Sequence, residues 1–273
     1  MAKFMIFIDG TWLYTNMSRL AQSYGQNYQI DYGKLPIALT AQVTNKSGHS
    51  NADLVRTYLF GSYAENFHPN DHDIAERRID FFKMLKEEFH YEVETYPVNY
   101  RGRHIRRADR DTSDPFEPKE KCVDISLATS MLYFAAIPGV YDIAIAVLGD
   151  QDYIPALQHL RRLGKRVAVV SVKGTCAKAF SDSIDEARVK DLEIIWLDDL
   201  LSELELKYER QLRECQAQEH AGDRKVWTEF RPRKGQNFYC DACRSIFGRK
   251  KEETPHPLGR LVLASGLSRE VPC

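Results

Sequence analysis

Short apolar runs alternate along the chain with segments of helical periodicity. The clearest run, Ile143–Leu148, is apolar throughout, ends at Gly149 and lies in a strand predicted over Tyr141–Leu148. Such a run is typical of a strand that is buried on both faces in a parallel sheet. Further strands are predicted at Phe4–Ile8, Leu54–Phe60, Glu92–Val98, Arg166–Val172 and Leu192–Leu197. Pro97 cannot donate a ladder hydrogen bond, so its strand is predicted near the sheet edge.

Helical patterns fill the intervals between these strands. They cover Trp12–Ala21, Asp31–Val43, Asp71–Phe89, Glu120–Phe134, Tyr153–Leu163, Ala177–Ala187 and Asp199 to about Glu219. Thr11 and Asp31 are the predicted N-caps of the first two helices. The alternation predicts an α/β fold, a three-layer α/β/α domain with a mainly parallel central sheet and right-handed crossovers.

The composition changes beyond about Gly222. Arg224–Lys251 is rich in Arg and Lys and carries aromatic residues that we expect to be exposed, namely Trp227, Phe230, Phe238 and Tyr239. We therefore predict an α/β domain over residues 1–205. A helical linker and a small, basic, Cys-containing C-terminal extension are predicted over residues 206–273.

Composition narrows the class of protein. The 273 residues carry a formal net charge of -1, which argues against a general polyanion binder. No apolar stretch approaches the roughly 20 residues that a membrane span needs. The N-terminus shows no signal-peptide pattern, and the six cysteines do not form a secreted disulfide framework. We expect a cytoplasmic protein without a membrane partner.

Acidic residues stand where predicted strands end. Asp9 follows the first strand, Asp150 and Asp152 follow the Ile143–Leu148 strand, and Asp124 lies in the first turn of a helix. Ligands of open α/β sheets bind beyond the carboxyl ends of the strands, so these acids are predicted to share one crevice. Several carboxylates without partnering His or Cys favour Mg²⁺ or Mn²⁺, and such a cation suits phosphodiester hydrolysis. The plainer interpretation is that each acid only caps a helix or complements its dipole.

Arginines are concentrated between the third strand and the helix of Asp124. Arg101, Arg103, Arg106 and Arg107 lie in this connection, which we call the arginine segment (residues 101–110). Arginine pairs with phosphate and stacks on bases, so the segment is a candidate track for RNA beside the acids. A solvated loop is the alternative.

Cys240 and Cys243 have the spacing of half a zinc site. A closed site needs two more ligands. His256 and Cys273 lie later in the chain at long separations, and Cys215 and His220 are available upstream. The alternative is a pair that binds no metal.

Four short motifs, in this order and spacing, resemble the NYN domain, in particular its LabA-like branch within the PIN-like nuclease superfamily. They are Phe7–Thr11, Lys121–Ile125, Leu148–Ile154 and Leu163–Val167. The resemblance covers roughly residues 3–200. It implies a metal-dependent ribonuclease fold in which Asp9, Asp124, Asp150 and Asp152 form the acidic cluster.

The chain departs from that family pattern at two positions. Trp12 stands where members commonly carry Asn, and Ser130 where they often carry Asp; Asn16, one turn after Trp12, is a candidate substitute. Two hypotheses follow: a metal-dependent endoribonuclease acting on single-stranded or loop RNA, or a weak or inactive module that binds RNA or a protein partner. The C-terminal extension is the candidate region for self-association or a protein partner.

A haloacid-dehalogenase-like phosphatase is the competing family, because Asp9-Gly-Thr11 resembles its first motif. That family needs a nucleophilic Asp at the position of Phe7, and phenylalanine cannot form an acyl-phosphate. We exclude this class of enzyme.

Overall fold

The computed structural model describes residues 1–24, 28–181, 189–207, 211–228 and 237–246. The chain divides into two compact units, Met1–Leu206 and Lys207–Cys273. Each unit has its own sheet; the first unit contains two buried apolar clusters, and the described residues of the second unit contain one. The two units are therefore described separately.

A six-stranded parallel sheet forms the centre of the first unit. Its strands are β1 (Ala2–Asp9), β2 (Ala52–Glu65), β3 (Glu92–Asn99), β4 (Ile143–Val147), β5 (Arg166–Ser171) and β6 (Ile195–Trp196). They are ordered β3-β2-β1-β4-β5-β6, so β4 is central and fully buried, and β3 with its Pro97 lies at an edge. The predicted parallel α/β class is confirmed.

Helices cover both faces of this sheet. They are α1 (Gly10–Tyr24), α2 (Leu35–Ser47), α3 (His72–Glu87), α4 (Val123–Ala136), α5 (Ile154–Arg162), α6 (Lys178–Ser181) and α7 (Leu201–Leu204). Side chains of β1 point alternately to two apolar clusters. Ile6 packs in the cluster that includes residues of α1, α2 and α3, whereas Phe7 packs in the cluster that includes residues of α4 and α5. The period of two in a strand thus produces three layers.

The strand order reverses direction between β1 and β4. The chain runs from β1 outward through β2 to β3, and from β4 outward through β5 to β6. A crevice forms beyond the carboxyl ends of the strands at such a switch point, because the two connections leave in opposite directions. Ile8 pairs with Val147 in register, which places Asp9 and the segment after β4 at this position.

Most helix boundaries differ from prediction by a few residues, and the difference is clearest at the start of α2. α2 begins at Leu35 because the Asp31 carboxylate accepts hydrogen bonds from the Gly33 and Lys34 amides (2.9 and 3.2 Å) and holds a turn there. The predicted helix from Ala177 corresponds to α6, and its residues 182–187 lie outside the described residues.

The predicted long helix from Asp199 to about Glu219 is wrong. α7 ends at Leu204, and the Leu206 amide donates to the Gln29 carbonyl at 2.8 Å. The following segment of the second unit forms β7 (Gln211–Glu214), which pairs antiparallel with β8 (Lys225–Thr228). Charged residues at helical spacing suggested a helix, but pairing with distant residues determines the structure. Sequence periodicity does not contain that information.

A helix needs about 20 mainly apolar residues to cross a membrane. Within the part of the chain that the structure describes, no helix is long and apolar enough to cross a membrane.

Candidate active site

Asp9 is the buried acid of the crevice, with only 3% of its surface exposed. One carboxylate oxygen accepts the Trp12 amide at 2.8 Å, so Asp9, and not the predicted Thr11, caps α1. Gly10 is required at this turn, because a Cβ there would lie 2.8 Å from the Phe60 carbonyl oxygen. The other carboxylate oxygen of Asp9 contacts the Tyr153 hydroxyl.

Tyr153 joins Asp9 to Asp124. Its hydroxyl lies 3.0 Å from Asp9 Oδ2 and 2.8 Å from Asp124 Oδ1, and the Tyr153 side chain is almost wholly buried. A phenol has one proton and can donate it to only one of two carboxylates at a time. The two carboxylates that share this donor repel each other, and binding of a proton or a cation would relieve the repulsion.

The pKa values of Asp9 and Asp124 are both raised, which means that their charged forms are disfavoured. Burial raises the pKa of Asp9 from 3.8 to about 6, although the hydrogen bonds from Trp12 and Tyr153 offset part of the rise. Partial burial also raises the pKa of Asp124, and the charges of Glu120, Asp150 and Asp152 add to it. Strongly perturbed carboxyl groups in a crevice are a frequent sign of a functional site.

Asp150 and Asp152 are exposed at the end of β4. The Asp150 carboxylate accepts the Asp152 amide at 3.2 Å, so Asp150 also caps the short 3-10 turn Gln151–Tyr153. Asp9 and Asp150 therefore have the capping role of the plainer interpretation, but capping accounts neither for the shared Tyr153 hydroxyl nor for the charge repulsion at Asp124.

The donor set fits a hard cation. All candidate ligand atoms are carboxylate oxygens, and their mutual repulsion would be relieved by positive charge. The four aspartates are not a tight ligand cluster; among the described residues, such a cluster occurs in the second unit. A cation held by these acids would need water molecules to complete its coordination, as Mg²⁺ in proteins usually has.

Sequence reasoning missed Tyr153 and Glu120. A tyrosine within a helical pattern suggests a core residue, and only the fold shows that its hydroxyl reaches two acids. Glu120 accepts the Val123 amide at 2.7 Å at the start of α4 and contributes negative charge at Asp124. In the sequence, the one indication of a role for Glu120 was its position four residues before Asp124.

Trp12 lies against the end of β4. A Cβ on Gly149 would come within 2.4 Å of Trp12 Nε1, so only glycine fits beneath this indole. The Asn16 amide donates to the Trp12 carbonyl at 2.9 Å and thereby supports α1. The departure from the family pattern thus places a large aromatic ring against Gly149, the residue before Asp150.

Arg78 of α3 is a cation connected to this edge of the sheet. Its guanidinium lies 4.3 Å from the ring of Tyr14 and 4.8 Å from that of Phe82, and its Nε donates to the Ser62 carbonyl at 3.3 Å. The Ser62 hydroxyl in turn lies 3.3 Å from that of Thr11. Arg78 is partly buried, and this burial lowers the pKa of its guanidinium, although the neighbouring tyrosines Tyr14, Tyr32 and Tyr100 offset part of the change.

Two arginines of the arginine segment are held by acids. Arg103 forms a two-contact ion pair with Asp114 in which both side chains are largely covered. Arg107 pairs with Glu117 on the surface. These partners follow the segment in sequence and neutralise half of the predicted cationic track.

The other two arginines of the predicted RNA track are more accessible. Arg101 is exposed and lies 4.8 Å from the ring of Phe116, and Arg106 is also exposed. The segment is fixed to the start of α3, since the Ile105 amide donates to the Asp71 carboxylate at 2.7 Å. A role for the segment in binding RNA stays a prediction.

The cysteine pair lies in the second unit. Cys240 and Cys243 are buried there together with Cys215, and His220 lies beside them. Phe238 is buried in the same cluster, contrary to its predicted exposure, whereas Trp227 is 64% exposed. His256, Cys273 and Phe230 lie outside the described residues.

Comparison with known families now decides the class of the first unit. The sequence model of the NYN domain matches residues 3–193. The chain belongs to the NYN family. The match confirms the predicted NYN resemblance. The NYN family is part of the PIN-like nuclease superfamily.

One solved structure similar to this NYN protein is that of a protein of unknown function from Vibrio parahaemolyticus. It shares 19% sequence identity with a TM-score of 0.45, and the match covers 75% of this chain and 96% of that chain. A comparison with curated proteins finds no match.

Proposed function

We propose that this NYN protein is a Mg²⁺- or Mn²⁺-dependent endoribonuclease of the LabA-like branch that hydrolyses phosphodiester bonds in single-stranded or loop RNA. The observation that carries the proposal is the Asp9–Tyr153–Asp124 bridge at the switch point of the sheet. A structural core does not require two carboxylates on one phenol. The order and spacing of the four sequence motifs support the LabA-like assignment.

Asp9, Asp124, Asp150 and Asp152 would hold the cation. When bound, it would lower the pKa of a water ligand and offset negative charge on the phosphate. Asp9 supplies a buried carboxylate whose raised pKa reflects its need for positive charge. Tyr153 orients Asp9 and Asp124, in the manner of residues that position metal ligands by hydrogen bonds.

The substrate phosphate also needs a cation of the protein, because the acids repel it. Arg78 meets this need on the side of Thr11 and Ser62, and the exposed Arg101 and Arg106 would extend the contact along single-stranded RNA. Guanidinium groups pair with phosphate oxygens and also stack on unpaired bases. Flexible single strands are therefore the substrates that this arrangement favours.

Cleavage of a labelled single-stranded RNA tests the proposal. We expect turnover with Mg²⁺ or Mn²⁺, none after chelation by EDTA, and recovery when either ion alone is returned. Asp150→Asn should lower the rate by about 100-fold or more, since loss of a group in such a site typically costs that much. Asp80→Asn, an exposed change on α3, is the matched control and should leave the rate unaltered. Equal cleavage in excess EDTA would show that the metal mechanism is wrong.

The second candidate function is an RNA- or protein-binding scaffold without turnover. The position of Trp12 over Gly149 favours it, because the indole occupies space next to Asp150 where related domains carry a smaller polar side chain. RNA binding measured with and without Mn²⁺ separates the candidates. Binding of several RNAs without cleavage in any metal would establish the scaffold.

A further inference from the structure

Four metal-binding side chains converge in the second unit. Cys215 follows β7, His220 lies in the connection from β7 to β8, and Cys240 and Cys243 stand at the start of a helical segment over residues 241–246. Their ligand atoms all lie within 4.8 Å of one another. Two loops that are distant in sequence therefore present three thiols and an imidazole to one point.

The imidazole of His220 is oriented for coordination. Its Nδ1 lies 3.2 Å from Cys243 Sγ and 3.6 Å from Cys240 Sγ, and its Nε2 lies 3.0 Å from the Asp223 carbonyl oxygen. A carbonyl can only accept, so Nε2 carries the proton and Nδ1 directs its lone pair toward the sulfurs. Fixing the second ring nitrogen in this way is the usual arrangement of a histidine that binds a metal.

The sulfur of Cys215 is also prepared to carry negative charge. The Cys240 amide donates to Cys215 Sγ at 3.3 Å, and this contact is buried. A backbone N–H aimed at sulfur stabilises a thiolate more than a neutral thiol. The contact also ties the Cys240 turn to the end of β7.

Among its described residues, the second unit has a small apolar core. Its buried apolar cluster among the described residues consists of Cys215, Ala217, Phe238, Cys240 and Cys243, so three of its five members are the clustered thiols. Units of this size rarely fold on apolar burial alone and are commonly stabilised by a metal or by disulfides. Packing therefore gives no sufficient reason for collecting these four side chains.

We propose that Cys215, His220, Cys240 and Cys243 bind one Zn²⁺ in a closed, structural site. Three thiolates and one imidazole are a soft, tetrahedral donor set, which selects zinc over Mg²⁺ or Mn²⁺. Four protein ligands leave no open position for a substrate, so this zinc organises the β7–β8 hairpin and takes no part in hydrolysis. The site is separate in residues and chemistry from the acids of the NYN domain, and it stands whether or not that domain cleaves RNA.

Metal analysis of the full-length protein tests the site. Protein purified without chelators should contain about one zinc per chain, and replacement by Co²⁺ should give the visible absorption of tetrahedral thiolate coordination. Cys243→Ser and His220→Ala should lose the stoichiometric zinc, whereas Cys122→Ser, an exposed cysteine of the first unit, should retain it. The cobalt spectrum needs no substitution, so it remains decisive if a variant fails to fold.

Three results would overturn the proposal. One is reduced wild-type protein that takes up neither zinc nor cobalt. The second is a disulfide between two of Cys215, Cys240 and Cys243, identified by peptide mapping of protein purified under native conditions. The third is a Cys243→Ser variant that folds and still holds one zinc per chain, because the metal would then lie elsewhere.

Discussion

Replacing Asp9 by Asn should stabilise the metal-free NYN domain while it abolishes activity. Asp9 is buried and its pKa rises from 3.8 to about 6, chiefly because burial disfavours its charge. The asparagine oxygen can still accept the Trp12 amide, so the cap of α1 survives. The change therefore removes a buried charge at constant volume.

The expected size of the effect follows from proton linkage. Between pH 3.8 and about 6 the folded chain binds more protons at Asp9 than the unfolded chain does, so wild-type stability falls as pH rises through this window. At about 1.4 kcal/mol per pH unit, the charged Asp9 lowers the free energy of unfolding by about 3 kcal/mol at pH values above this window. Below pH 3.8 both states are protonated and the cost disappears. The free energy of unfolding of Asp9→Asn should thus exceed that of the wild type by up to about 3 kcal/mol at about pH 7.5, and the two should be equal at about pH 3.5.

Native-state hydrogen exchange of β1 and β4 amides is a suitable assay, because these buried strands exchange through global opening of the first unit. Asp80→Asn is again the matched control and should change stability by less than about 0.5 kcal/mol. Saturating Mg²⁺ should stabilise the wild type but not the variant, and so narrow the gap. An Asp9→Asn protein that is less stable at neutral pH, or a difference that does not depend on pH, would refute this reasoning.

Other predictions follow from single contacts. Gly149→Ala should cost about 1–3 kcal/mol by thermal unfolding, because its Cβ collides with Trp12, and adding Trp12→Ala should restore most of the loss. Tyr153→Phe removes a hydrogen bond that lowers the pKa of the buried aspartate, so the acidic limb of the pH–rate profile should move to higher pH; an unmoved limb would exclude a positioning role. Arg78→Ala should weaken RNA binding in filter or anisotropy assays and lower the slope of its logarithmic salt dependence by ~0.7. Replacing Arg101, Arg103, Arg106 and Arg107 together by alanine should lower the slope of the salt dependence of RNA binding by more than Arg78→Ala does and should leave metal affinity unchanged. An unaltered slope would show that the arginine segment does not contact the RNA.

The sheet and the position of the acids could be predicted from sequence because both depend on local pattern. A fully apolar run such as Ile143–Leu148 is compatible with few environments other than a central parallel strand. Once β1 and β4 are parallel and central, their following acids must emerge at the same edge. The positions of Asp9 and Asp150 could therefore be predicted without knowledge of distant contacts.

The features that sequence did not reveal depend on pairing between distant residues. Tyr153 contacts Asp9 across most of the first unit's sequence, and nothing local marks its hydroxyl as polar and functional. The ion pairs of the arginine segment with Asp114 and Glu117 likewise appear only in three dimensions. The predicted helix over Asp199–Glu219 failed for the same reason, since β7 exists through its pairing with β8.

The most direct test of the central claim is the chemical nature of the RNA ends produced with Mn²⁺. Attack by an activated water forms a new bond to phosphorus and releases a ribose hydroxyl, without using the neighbouring 2′-hydroxyl. Mass spectrometry of the products should therefore show linear phosphate and hydroxyl ends, and a 2′-deoxy substitution at the cleaved position should still permit cleavage. Products with 2′,3′-cyclic phosphate, formed by wild type and Asp150→Asn alike, would contradict the account.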